Sequence, residues 1–271
     1  MGKFSGCLLA SDFDGTLADA RGEIPQNVRA ALRYFIAQGG LFTVCTGRTK
    51  QGFHKYSPDI INAPVLLANG VMAYDYARGA AAFCCGIRQE DAALVNALRD
   101  HFEDICIELY GADFHSYAIR LNERSRRHFT RQNICWTEID DVREAQGPFV
   151  KIMLSCGVSR GQEIQRWLDG EIGGYDLKYI PSTGEYVEII RKDADKGRGL
   201  LRLASALGVK KEFVYAVGDG ENDLDMLRAA AVSFVPENGA ELAKAVGTYS
   251  VCCNDLGAVA HVVGMLDARF R

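Results

Sequence analysis

No apolar run in this sequence approaches the roughly eighteen residues that a membrane-spanning helix requires. The apolar stretch ahead of Asp12 is about six residues, too short for a signal peptide, and Gly6 stands where an N-terminal acylation pattern would need Ser or Thr. No CxxC pair occurs, and no cysteine has a histidine partner at metal-ligand spacing. The nine cysteines include several inside apolar runs and read as buried thiols of a reducing cytosol. Strong charge of either sign is missing too: a formal net charge of -4 gives no general attraction to nucleic acid or anionic membrane. The densest basic stretch, Arg120 to Arg131, reads as a solvated helix face.

What is present is an ordinary globular composition, 48% hydrophobic and 24% charged. A chain of 271 residues is long for one small core and suggests a main domain with a second domain or a large insertion. Short apolar runs ending in polar residues or glycine recur at Cys7 to Ala10, Leu41 to Cys45, Val65 to Ala68, Phe213 to Val217 and Val232 to Val235. They read as buried parallel strands. Val28, Ala31, Leu32, Phe35 and Ile36 fall at helical spacing between the first two, with Pro25 at the start and Gly39-Gly40 as the stop. Leu200, Leu203, Ala204 and Leu207 form a second apolar stripe. Alternating strand and helix at both ends of the chain predict an α/β fold, a doubly wound Rossmann-like parallel sheet. The middle breaks that rhythm and reads as an inserted α+β domain with its own antiparallel sheet. The expected division is a core of residues 1–86 and 188–271 around an insertion of 87–187.

Chemistry concentrates at the carboxyl ends of the predicted strands, where ligands bind in open α/β sheets. Asp12-Phe13-Asp14-Gly15-Thr16 follows the first. Two carboxylates so close repel each other, so a cation or a shared proton is needed; the competing reading is a pair of turn-capping aspartates. Thr46-Gly47 follows the second strand and offers a hydroxyl and a flexible N–H to a phosphate oxygen, although Thr-Gly at a strand end is also a common turn. Lys196 opens a helix, where a cation opposes the helix dipole unless something anionic compensates; taken alone it reads as an exposed lysine. Gly218-Asp219-Gly220-Glu221-Asn222-Asp223 follows the Phe213 strand and suits a hard oxygen-seeking cation such as Mg²⁺, or else caps the next helix.

In this order the four motifs resemble the haloacid dehalogenase superfamily of phosphotransferases. Leu67 to Gly70 (LANG), Glu188 to Ile190 and the GDGENDLDML stretch are similar to its Cof-like sugar-phosphatase branch, and the likeness covers nearly the whole chain. The resemblance implies Asp12 as the nucleophile that becomes an aspartyl-phosphate and as a metal ligand. It implies Asp14 as acid and base, with its backbone carbonyl on the metal. Thr46, Gly47, Lys196 and Asn222 would hold the phosphoryl group, and Asp219 and Asp223 would complete a Mg²⁺ site. The stretch from Leu17 to Leu41 has room for only one helix and loops, so the specificity-determining cap must be the later insertion. There His115, Tyr117, Arg120, Arg124, Tyr179, Ser182 and Thr183 are candidates to meet the rest of the substrate. The function implied is cytoplasmic hydrolysis of a small phosphorylated metabolite, such as a sugar phosphate. The alternatives are a phosphosugar mutase using the same residues and a non-catalytic phosphometabolite-binding protein.

Overall fold

The computed structural model describes residues 2–182 and 185–270. The chain divides into two compact units, one of residues 1–47, 55–83 and 195–271, the other of residues 48–54 and 84–194.

The first unit is built on a five-stranded sheet in the order Tyr249–Val251, Val232–Pro236, Val214–Val217, Leu8–Ser11, Leu41–Val44. All of its pairings are parallel. The strand Leu8–Ser11 lies fully buried at the centre, as an apolar strand covered on both faces must. Leu8, Ala10, Val214 and Ala216 point to one face, where Leu200, Leu203 and Met226 pack on them. On the opposite face Tyr215 meets Phe270 just beyond the helix Ala258–Arg269, with ring centroids 6.3 Å apart. The helix Gln26–Ala37 lies beside that helix, tied by Tyr34 donating to Asp267 at 2.6 Å. Helices therefore cover both faces, and the sheet is doubly wound.

The run Val65–Leu67 departs from expectation. It pairs antiparallel with Met72–Asp75 in a separate three-stranded sheet with Ala80–Cys84, and is joined to the edge of the main sheet by the parallel bridge Cys45 to Leu66. Three consecutive residues with positive φ, Ala68, Asn69 and Gly70, turn the chain back immediately and prevent it from extending the parallel ladder.

The second unit carries a six-stranded sheet in the order Leu177–Ser182, Tyr186–Arg191, Phe149–Ser155, Cys106–Gly111, Ser116–Ile119, Trp136–Glu138. It is antiparallel except for its last pair, which is parallel. Period-2 alternation divides it cleanly. Ile107, Leu109, Ile152, Leu154, Val187 and Ile189 share an apolar core with Leu94 and Leu98 of the helix Ala93–His101 and with Ile164 and Leu168 of the helix Val158–Glu171. The intervening positions Glu108, Tyr110, Lys151 and Glu188 face the other way and are buried as well. The expected boundary at 187/188 falls inside the strand Tyr186–Arg191, whose antiparallel ladder with Phe149–Ser155 keeps it whole within the second unit. Residues 48–54 also belong to this unit, a grouping no feature of the sequence announces.

Candidate active site

The peptide after the central strand is shaped for close approach. Asp12 donates its N–H to Val217 O at 2.9 Å, which holds it in line with the neighbouring strand. The chain then winds through a single turn, Phe13–Leu17, with Gly15 at φ +81. A Cβ at Gly15 would lie 2.5 Å from Asp219 Oδ2, so only glycine lets this turn meet the next acidic loop. Thr16 Oγ1 then donates to Asp219 Oδ1 at 2.5 Å, and Asn238 Nδ2 to Gly15 O at 2.8 Å.

Lys196 is the first residue of the helix Lys196–Ala206, whose N-cap Asp195 accepts from Arg198 N. Burial of Leu200 and Leu203, worth roughly 1.5–3 kcal/mol each, anchors that helix on the sheet. Read alone, the sequence makes Lys196 an exposed lysine; the structure makes it 1% exposed. Its ammonium donates to Asp12 Oδ1 and to Asp223 Oδ1, both at 2.6 Å, so two carboxylates replace the water it loses. Asp223 is fixed in turn, its Oδ2 accepting from the N–H groups of Asp219 at 3.0 Å and Gly220 at 2.9 Å.

Asp12, Asp219 and Asp223 each place a carboxylate oxygen within 4.8 Å of the others. Three clustered carboxylates thus share one ammonium, which contacts Asp12 and Asp223, and the protonation behaviour follows from that imbalance. Burial pushes the Asp12 carboxyl up to about 8, against the pull of Lys196 and with a further push from Asp223 and Asp219. Asp219 is raised for the same leading reason, opposed by the Thr16 hydrogen bond. Burial alone would depress Lys196, but Asp12 and Asp223 outweigh it and hold the ammonium protonated. Asp14 lies in the same turn with its side chain exposed, outside this trio.

Thr46 and Gly47 are reached by a second line of contacts. Thr46 donates its N–H to Leu66 O at 2.9 Å and accepts from Asn69 N at 3.0 Å. The Asn69 amide lies beside Gly47, and its Oδ1 accepts from Asn222 Nδ2 at 3.4 Å. Asn69, 4% exposed and with φ +56, therefore joins the Thr-Gly loop to the acidic loop. The sequence motifs gave this asparagine no role of its own. Its position before glycine and after an apolar strand was the available signal, since Asn tolerates the left-handed region.

The candidate contact residues of the insertion have internal partners. His115 Nε2 lies 2.9 Å from Thr137 Oγ1, and Tyr117 is buried and accepts from Gln146 N at 3.3 Å. Arg120 donates to the carbonyls of Arg99 at 2.6 Å and Phe102 at 2.7 Å, while Arg124 sits 3.4 Å from Glu185. Tyr179 donates to Asp169 at 2.7 Å. Thr183 lies outside the described residues, as does the Ser182 side chain.

An oxygen-only cluster with excess negative charge, at the carboxyl ends of parallel strands and beside a Thr-Gly loop, has the donor set of a site for a hard cation. Residues 9–263 match the haloacid dehalogenase-like hydrolase family. Over 293 residues the chain is 25% identical to the 5-amino-6-(5-phospho-D-ribitylamino)uracil phosphatase YwtE of Bacillus subtilis, covering 95% of this chain and 97% of that one. It is also 25% identical over 261 residues to YbjI of Escherichia coli, a phosphatase of the same description, covering 94% of each. A haloacid dehalogenase-like hydrolase from Bacteroides thetaiotaomicron shares the fold, with a TM-score of 0.85 at 20% identity over 96% of this chain and 99% of that one. The chain belongs to the haloacid dehalogenase-like hydrolase family and is a phosphoric monoester hydrolase.

Proposed function

We propose that the protein hydrolyses a small phosphorylated metabolite through an aspartyl-phosphate on Asp12. The observation that carries this reading is the carboxylate trio of buried Asp12 and Asp223 with half-buried Asp219, and the Lys196 ammonium bound to the first two. In the first step an Asp12 carboxylate oxygen bonds to phosphorus as the bond to the leaving oxygen breaks, and Asp14 gives that oxygen its proton. In the second, Asp14 takes a proton from water, the water oxygen bonds to phosphorus, and the bond to Asp12 breaks, releasing inorganic phosphate. Exposure of Asp14 suits a group that must meet both leaving group and water. Thr46, Gly47 and Asn222 hold phosphoryl oxygens, and Lys196 neutralises charge on them and on Asp12.

The donor set fits Mg²⁺, since it offers only oxygen and leaves uncompensated negative charge. Asp12, Asp219, Asp223 and the backbone carbonyl of Asp14 are the groups that would hold it, and the ion would supply positive charge to the transferring phosphoryl group. The phosphoribityl compound in the names of two relatives supports a phosphorylated sugar or sugar alcohol as the substrate class. The insertion, 84–194, is the part assigned to substrate selection. Nine free cysteines fit work in a reducing compartment such as the cytoplasm, and no described helix is long and apolar enough to cross a membrane.

The test is phosphate release from an aryl phosphate with and without Mg²⁺. Asp12→Asn should lower kcat by about four orders of magnitude or more. Near-normal turnover in that variant, or full activity in excess chelator, would remove the reading.

A further inference from the structure

The chain passes between the two units after residues 47, 54, 83 and 194, so a short segment, 48–54, leaves the first unit directly after Thr46-Gly47 and is packed within the second. Two of its contacts there converge on one residue. Gln132, at the end of the helix Glu123–Gln132, accepts from His54 Nε2 through its backbone carbonyl at 2.5 Å. Its side chain closes over Gly52, where a Cβ would collide with Gln132 Oε1. Weaker contacts lie on either side, Gln51 with Ser116 Oγ at 3.4 Å and the Lys50 ammonium 4.2 Å from the centre of the Phe114 ring. Arg48 folds the segment on itself by donating to Gly52 O at 3.2 Å.

Gln132 is itself held from below. Its Nε2 lies 2.8 Å from His128 Nε2, and His128 Nδ1 lies 3.0 Å from Glu108 Oε2. Glu108 is fully buried and also accepts from the Tyr110 hydroxyl. An imidazole that gives its Nδ1–H to a carboxylate presents Nε2 as an acceptor, which suits the Gln132 amide N–H. The other end of the helix is fixed by Asn122, which accepts from Ser125 N at 2.9 Å and donates to Ser155 O at 3.1 Å.

We propose that Gln132 is a positioning residue: by clamping residues 48–54 it fixes the backbone of Gly47, one peptide bond upstream, and so sets the geometry of the phosphate-binding pair. This rests on Thr46-Gly47 binding phosphate. Misplacing a binding group by about 1 Å costs up to ~100-fold in rate, and Arg48, the residue next to Gly47, is tied to the clamped Gly52 by its bond to that carbonyl.

The experiment measures KM and kcat for an aryl phosphate, the inhibition constant of inorganic phosphate, and Tm. The variants are Gln132→Ala, Gly52→Ala, their double mutant, and Thr46→Ala. Gly52→Ala puts a methyl against Gln132 Oε1 and must displace that amide. Gln132→Ala and Gly52→Ala should each raise KM and the phosphate inhibition constant together by roughly 3–10-fold, with kcat changed less than about twofold. The double mutant should match Gln132→Ala instead of multiplying the two effects, because both act on one clamp. Unchanged phosphate affinity with lowered Tm, or multiplicative effects, would overturn the proposal. If Thr46→Ala weakens phosphate while Gln132→Ala does not, the phosphate-binding reading survives and only the clamp fails; if Thr46→Ala has no effect, both fall.

Discussion

Both units bury charged side chains, but they balance them differently. In the first, Asp12, Asp219 and Asp223 cluster together, and a single lysine contacts two of them. In the second, Lys151 faces Glu188 at 3.2 Å, and Glu108 is met by a tyrosine hydroxyl and a histidine. Burying an ion costs several kcal/mol, which a matched partner largely offsets. The second unit therefore meets these charges with partners from its own sheet and from the helix Glu123–Gln132. The first unit does not, and the excess of carboxylates adds to burial in driving Asp12 up to about 8. Depth of burial does not separate a site from a structural tie here; the clustering of three carboxylates does.

Removing cations tests that distinction. Lys196→Met leaves three clustered carboxylates without that ammonium, and should cost about 3–5 kcal/mol of stability in chelator. Added Mg²⁺ should recover part of that loss, as any ligand of the folded state does. Equal Tm with and without the ion would break the contrast. Lys151→Met takes the ammonium from Glu188 in the second unit and should cost about 3 kcal/mol. Here the loss should be the same with or without Mg²⁺; recovery by the ion would mean the two clusters are not different in kind.

The smallest effect is a pH dependence. Asp12 and Asp219 are raised above an unfolded carboxylate, so the folded protein binds the extra protons. Stability is then full below the unfolded value near 4 and is lost as pH climbs through the folded value near 8. In chelator, Tm should fall on the order of 5 °C between pH 6 and 8.5. Saturating Mg²⁺ should flatten that slope, and a metal-free Tm that rises over the same window would contradict the assigned direction.

Much of the first unit was legible because parallel strands buried on both faces appear as bare apolar runs. The polar residues at their ends, Asp12, Thr46 and Asp219, stand out against them. Four features of the chain were not. Lys196 read alone is a surface lysine because its burial depends on carboxylates 184 and 27 residues away in sequence. The strand Ala80–Cys84 is mostly exposed and lacks apolar alternation, and Trp136–Glu138 is only three residues long, too short for a period to register. The attachment of residues 48–54 to the second unit is purely tertiary, since His54, Gly52 and Gln132 carry no shared pattern.

That attachment constrains how the protein can be dissected. Replacing residues 84–194 with a short linker would look like clean removal of an insertion, yet it would strip residues 48–54 of every contact they make through Gln132, Ser116 and Phe114. A truncated core made that way would carry a loosened strand-exit loop at Gly47. Its loss of activity would report on that loop as much as on the missing domain. A deletion meant to isolate the role of the insertion has to shorten or rebuild residues 48–54 at the same time.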